Sequence, residues 1–107
     1  MKKNTILLVE DEAIIAMDQA NMLEANGFNV ITVYTPDDAI AAVDAGSADL
    51  VLMDIDLGRG SMDGTQAAQV ILSRHMIPII FLTSHTEKEM VDRVKGITRY
   101  GYVIKNS

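Results

Sequence analysis

Three short segments of the chain are apolar throughout instead of alternating: Ile6-Leu7-Leu8-Val9, Leu50-Val51-Leu52-Met53 and Ile79-Ile80-Phe81-Leu82. A strand buried on both faces has this pattern, as in a parallel sheet covered by helices on each side. Residues 30–33 and 102–104, β-branched or aromatic, predict two more strands. Between the strands the periodicity changes to helical. Residues 12–26 place Ile15, Met22 and Leu23 at helical spacing before Gly27, the residue type that best tolerates the left-handed conformation past a helix end. Thr35, Pro36 and Asp38 supply an N-cap, a first-turn proline and an acidic third position. Ala39, Ile40 and Val43 form the inward stripe of that helix and Gly46 its stop. Residues 64–74 turn Ala67, Ala68 and Ile71 inward, while residues 86–95 open with Glu87 and Glu89 and close with Arg93 and Lys95, matching the helix dipole at both ends.

The resulting order, βαβαβαβαβ, predicts an α/β fold: a doubly wound, five-stranded parallel sheet, because parallel neighbours need right-handed crossovers and helices on both faces. Such sheets bind ligands beyond the carboxyl ends of their strands, where strand order reverses. At 107 residues the chain is expected to be one domain. Nine Lys and Arg against 15 Asp and Glu give a net charge of −6, and without a basic cluster the electrostatic basis for nucleic-acid or anionic-membrane binding is missing. The absence of cysteine excludes disulfides and cysteine chemistry and fits a cytoplasmic location. Lys2 and Lys3 before an apolar run mimic a signal-peptide start, but Glu10, Asp11 and Glu12 interrupt it far too early, and no run is long enough for membrane insertion.

The strand ends carry the chemistry. Glu10-Asp11 follows the first strand, Asp54-Ile55-Asp56 the third, Thr83-Ser84 the fourth and Lys105 the fifth. Crowded carboxylates repel unless a cation neutralises them, and all-oxygen donors suit a hard divalent ion such as Mg²⁺, which keeps waters and takes phosphate oxygens. In that setting Asp54 can attack phosphorus and form an acyl phosphate, with Thr83 and Lys105 stabilising the charge. Any one carboxylate at a strand end is more often a helix cap, and Asp11 or Glu12 can cap the first helix; joint occurrence at four strand ends argues for a site. His75 belongs at a helix end with no assigned chemistry, and the seven methionines read as core filler.

These residues resemble the receiver domains of two-component response regulators. The resemblance runs from Ile6 to Lys105: Leu8-Val9-Glu10-Asp11-Glu12 resembles the opening acidic motif, Leu50 to Asp54 the phospho-acceptor strand, Met62-Asp63-Gly64 the turn after it, Ile79 to Ser84 the switch strand and Gly101-Tyr102-Val103-Ile104-Lys105 the last strand. It implies a sheet of strand order 2-1-3-4-5 and a phosphoprotein whose Asp54 accepts a phosphoryl group from a histidine kinase or phosphotransfer domain in a Mg²⁺-dependent reaction. It also implies a downstream domain or protein that reads the result. Asp11 would ligate the metal directly, Glu10 through water, and Asp56 through its backbone carbonyl, with Asp54 completing the set. Thr83 would hydrogen-bond the phosphoryl group, Lys105 pair with it, and Tyr102 swing inward behind Thr83. Ser84 stands where a small residue leaves access, and His85 where members tune acyl-phosphate lifetime.

Several positions depart from the family pattern. The acidic pair is Glu-Asp, the connection from Asp54 to Gly64 is two residues longer and contains Gly58 and Gly60 without the common proline, and Asn106 replaces the proline after the lysine. The family ends in a fifth helix, so a chain ending at Ser107 is expected to be a truncated receiver. The alternative reading is a haloacid-dehalogenase-like phosphatase with Asp54 and Asp56 as its Asp-x-Asp motif. That family has no use for Glu10-Asp11 and places its second acidic cluster beyond the lysine.

Overall fold

The computed structural model describes residues 4–54, 64–82, 91, 92 and 95. Among these, β1 (Thr5–Val9), α1 (Ala13–Ala25), β2 (Asn29–Val33), α2 (Pro36–Asp44), β3 (Leu50–Asp54), α3 (Gly64–Arg74) and β4 (Ile79–Leu82) follow one another in strict alternation. The strands form a parallel sheet of order β2-β1-β3-β4. The chain therefore winds outward from β1 to β2, then crosses back over β1 to β3, and the strand order reverses between β1 and β3. The expected fifth strand, at 102–104, lies outside the described residues. Of the expected helix at 86–95, Val91, Asp92 and Lys95 are described and are helical.

Ile6 to Val9 and Leu50 to Met53 are all 0% exposed, as expected of central strands covered on both sides. Successive side chains of a strand point to opposite faces. Thus Ile6, Leu8, Leu50, Leu52, Ile80 and Leu82 pack with Ala16 and Leu23 of α1, Phe28 and Val91 on one face. Leu7, Val9, Val51 and Met53 pack with Ala39 and Val43 of α2, Ala67 and Ile71 of α3 and Ile77 on the other.

Three helix boundaries rest on the signals expected of them. Thr35 accepts a hydrogen bond from the Asp38 amide at 3.1 Å, with Pro36 following as the first helical residue. Gly27 and Gly46 adopt φ of 96° and 78° just past α1 and α2, where a Cβ would be strained. The inward stripe of α1 differs from expectation. Ile15 is 41% exposed, and the small Ala16 takes the buried position with Leu23. Because Ile14, Ile15, Ala16 and Met17 are consecutive apolar residues, helical spacing alone admits more than one face.

The carboxyl ends of α2 and α3 are tied together by ions. Asp44 Oδ2 lies 2.7 Å from Arg74 Nη1 and Asp44 Oδ1 lies 2.7 Å from His75 Nε2. The His75 contact, then the Arg74 charge, holds the Asp44 carboxyl below its usual range. His75 thus sits at a helix end as expected, with a partner its position in the sequence did not reveal.

Leu52→Ala is expected to lower the unfolding free energy by about 3 kcal/mol. Ile14→Ala, at a position 76% exposed, is expected to change it by less than about 0.5 kcal/mol. Equilibrium urea unfolding followed by circular dichroism checks both.

Candidate functional site

The pairing of β1 with β3 sets Val9 opposite Met53. Glu10 and Asp54, one residue further along each strand, therefore meet at the carboxyl edge of the sheet, at the point where strand order reverses. Asp11 follows on the same edge. One carboxylate oxygen from each of Glu10, Asp11 and Asp54 lies within 4.8 Å of one from each of the others.

Burial differs across the three. Asp11 is exposed, Asp54 is half-buried and Glu10 is only 5% exposed. Glu10 is held from two sides: its amide donates to the Val33 carbonyl at the end of β2 (3.1 Å), and its Oε2 accepts from the Glu12 amide (3.1 Å). Glu12 occupies the N-cap of α1 with no side-chain bond to the helix. The expectation that Asp11 or Glu12 caps α1 with its side chain is thus not met by Glu12; the Glu10 carboxylate reaches forward to the entry of the helix instead. Side chains bonding an amide two residues ahead are a known local pattern of short acids, and with glutamate its sequence signal is weak.

Burial is the largest cause pushing the Glu10 carboxyl up, to about 7. The Glu12 amide opposes this by stabilising the anion, while the charge of Asp54 and hydrogen bonds with Asp54 and Asp11 raise it further. No lysine or arginine occurs between residues 4 and 58, so β1, α1, β2, α2 and β3 bring no cation to these acids. Three converging carboxylates, one of them protonated near neutrality, form a donor set suited to a hard divalent cation with retained waters.

Of the residues expected to act, Glu10, Asp11 and Asp54 are brought together. Asp56, Thr83, Ser84, His85, Tyr102, Lys105 and the Lys105-Asn106 bond lie outside the described residues, as does the Gly58 and Gly60 connection. The start of α1 beside the acids presents Ile14 and Met17 to solvent, 76% and 61% exposed. Three residues apart, they share one side of the helix. No helix among the described residues is long and apolar enough to cross a membrane.

Comparison with known proteins gives a consistent picture. The family model described as the response regulator receiver domain matches residues 6–107. The transcriptional regulatory protein PdtaR of Mycobacterium tuberculosis is 33% identical over 101 residues, covering 94% of this chain and 48% of that protein. The phyllosphere-induced regulator PhyR of Methylorubrum extorquens is 39% identical over 85 residues, covering 78% of this chain and 32% of that protein. This chain therefore spans about half, or less, of the length of these relatives. In fold alone it is similar to the receiver domain of Francisella response regulator 1452, with a TM-score of 0.82 at 15% identity, over 92% of this chain and 98% of that one.

The elevated Glu10 value gives a pH dependence with a defined sign. Between the ordinary value of 4.5 and about 7 the folded chain keeps a proton that the unfolded chain loses, so metal-free stability falls as pH rises through this window. Glu10→Gln is expected to remove the fall and to stabilise the metal-free chain above the window by on the order of 2 kcal/mol. Urea unfolding in chelator across the window measures it; an unchanged slope in the variant contradicts the account.

Proposed function

This chain belongs to the response regulator receiver domain family, and from that premise we propose that Asp54 accepts a phosphoryl group from a histidine kinase or phosphotransfer domain and that the acyl phosphate switches the surface of the domain. The observation that carries the reading is the meeting of Glu10, Asp11 and Asp54 at the strand-order reversal. Receiver domains serve in general as signalling switches in two-component systems rather than as enzymes with a separate substrate. The phosphatase alternative gains no support, since Glu10 and Asp11 after β1 have no part in it.

In the proposed reaction an Asp54 oxygen attacks phosphorus in line with the donor's P–N bond. The new O–P bond forms as the P–N bond breaks, and the donor nitrogen leaves with a proton. Asp11 and Asp54 would hold Mg²⁺ directly, Glu10 largely through water, and the Asp56 carbonyl would supply the last protein ligand. Mg²⁺ held there would supply positive charge against the phosphoryl oxygens. Thr83 donates to the phosphoryl group and Lys105 pairs with it; Ser84 leaves the approach open and His85 tunes hydrolysis. As Thr83 moves toward the phosphate, the Tyr102 ring fills the space behind it, so two discrete packings are biased.

The protein donor seats against the exposed Ile14 and Met17 of α1, adjoining the acids it must reach. Residues 1–107 act as a single receiver unit in the cytoplasm, and the output belongs to whatever domain or protein reads its altered face.

With Mg²⁺ and acetyl phosphate or phosphoramidate, the chain is expected to gain one phosphoryl group on Asp54, mapped by intact mass and peptide analysis. Asp54→Asn abolishes the gain, and a phosphate mapped elsewhere in the unsubstituted chain refutes the reading. Ile14→Ser with Met17→Ser is expected to slow transfer from a phosphohistidine protein by about tenfold, as loss of well-buried apolar contacts does, while leaving the small-donor reaction unchanged.

A further inference from the structure

The carboxyl end of α1 carries an Asn-Gly pair, Asn26-Gly27. This dipeptide is chemically special because glycine, lacking a side chain, lets its amide nitrogen approach the preceding asparagine side chain. Loss of the amide proton lets the Gly27 nitrogen attack Asn26 Cγ, forming a C–N bond while the side-chain nitrogen departs as ammonia. Water then opens the five-membered imide at either carbonyl, leaving aspartate or, by the other cleavage, isoaspartate. No oxidant or cofactor is needed.

The fold opposes every part of this step. The Gly27 N–H donates to the Glu24 carbonyl at 3.0 Å, so the nitrogen that must attack is engaged and keeps its proton. The Asn26 Nδ2 donates to the Met22 carbonyl at 2.9 Å, which holds the carboxamide against the last turn of the helix. With Asn26 at φ −98° and ψ 13°, the Gly27 nitrogen is rotated away from the side chain. Gly27 itself sits at φ 96°, and Phe28, 8% exposed in the core, donates from its amide to the Leu23 carbonyl at 3.2 Å, fixing the turn from beyond.

We propose that Asn26 is a latent site of spontaneous deamidation and isoaspartate formation, gated by the hydrogen-bonded cap at the end of α1. Opening of the cap frees the Gly27 amide and the Asn26 side chain together, so the rate of modification follows the open population. Modification in turn prevents full reclosure. It replaces the donor to Met22 with a carboxylate, places negative charge at the negative end of the helix dipole, and in isoaspartate adds a methylene to the backbone beside Phe28. Two neighbours serve as internal controls: Asn21 precedes Met22 and Asn29 precedes Val30, whose side chains hinder the same attack.

The test incubates the whole chain at mildly alkaline pH, folded in buffer or unfolded in urea. Cleavage before Asp18 and Asp37 releases residues 18–36, cut again before residue 26 where aspartate has formed, so that deamidation is located by mass, and isoaspartate, which is not cut, by methylation with an isoaspartyl methyltransferase. The expected result is conversion at Asn26 ahead of Asn21 and Asn29, faster by about tenfold or more in urea than in the folded chain. Phe28→Leu, which loosens the anchor beyond the cap, is expected to raise the folded-state rate several-fold. Equal rates in buffer and urea, an unchanged folded-state rate in Phe28→Leu, or conversion first at Asn21 or Asn29 overturns the proposal.

Discussion

The parallel pairing of β1 with β3 is the constraint from which the site follows. With Val9 opposite Met53, Glu10 and Asp54 leave the sheet side by side. A slip of one residue would move each strand's side chains to the opposite face and pull the acids apart. The register is held by burial: Ile6 to Val9 and Leu50 to Met53 have no exposure on either face. Backbone bonds at the entry of the strands add to it, with Thr5 and Asp49 exchanging an amide-to-carbonyl bond and an amide-to-carboxylate bond, each of 2.8 Å.

That same register gathers like charges where no lysine or arginine of the first five elements can offset them. Glu10 bears most of the cost because it is the most buried of the three acids, and it responds by holding its proton to about 7. A cation bound at this edge would relieve the repulsion and displace that proton. The raised proton affinity of Glu10 marks crowding that opposes folding of the metal-free chain, a pattern expected where a binding edge is kept charged.

The two helical layers serve the site unequally. On one side α2 and α3 share a core with Leu7, Val9, Val51 and Met53 and are joined at their ends through Asp44, Arg74 and His75. On the other side α1 buries only Ala16 and Leu23 fully, and it leaves Ile14 and Met17 in solvent close to the acids. Its entry depends on the Glu10 side chain and its exit on the Asn26-Gly27 cap.

Local patterning determined much of this protein. Unbroken apolar runs marked β1 and β3 as strands buried on both faces and β4 as a strand, although its Ile79 and Phe81 stay half-buried; Thr35-Pro36 and Gly46 bounded α2, and acids after the first and third strands marked the carboxyl edge, because each of these signals is carried by residues adjacent in the chain. Tertiary structure decided what depends on distant partners. It selected Ala16 over Ile15 for the core, since only the sheet defines which side of an apolar helix faces inward. It gave His75 and Arg74 to Asp44 across some thirty residues of sequence. It turned Glu10 from one acid among several into the buried member of the cluster with its proton affinity raised, because a carboxyl's proton affinity is set by the solvent it has lost and the charges set beside it, and neither quantity is written in neighbouring residues.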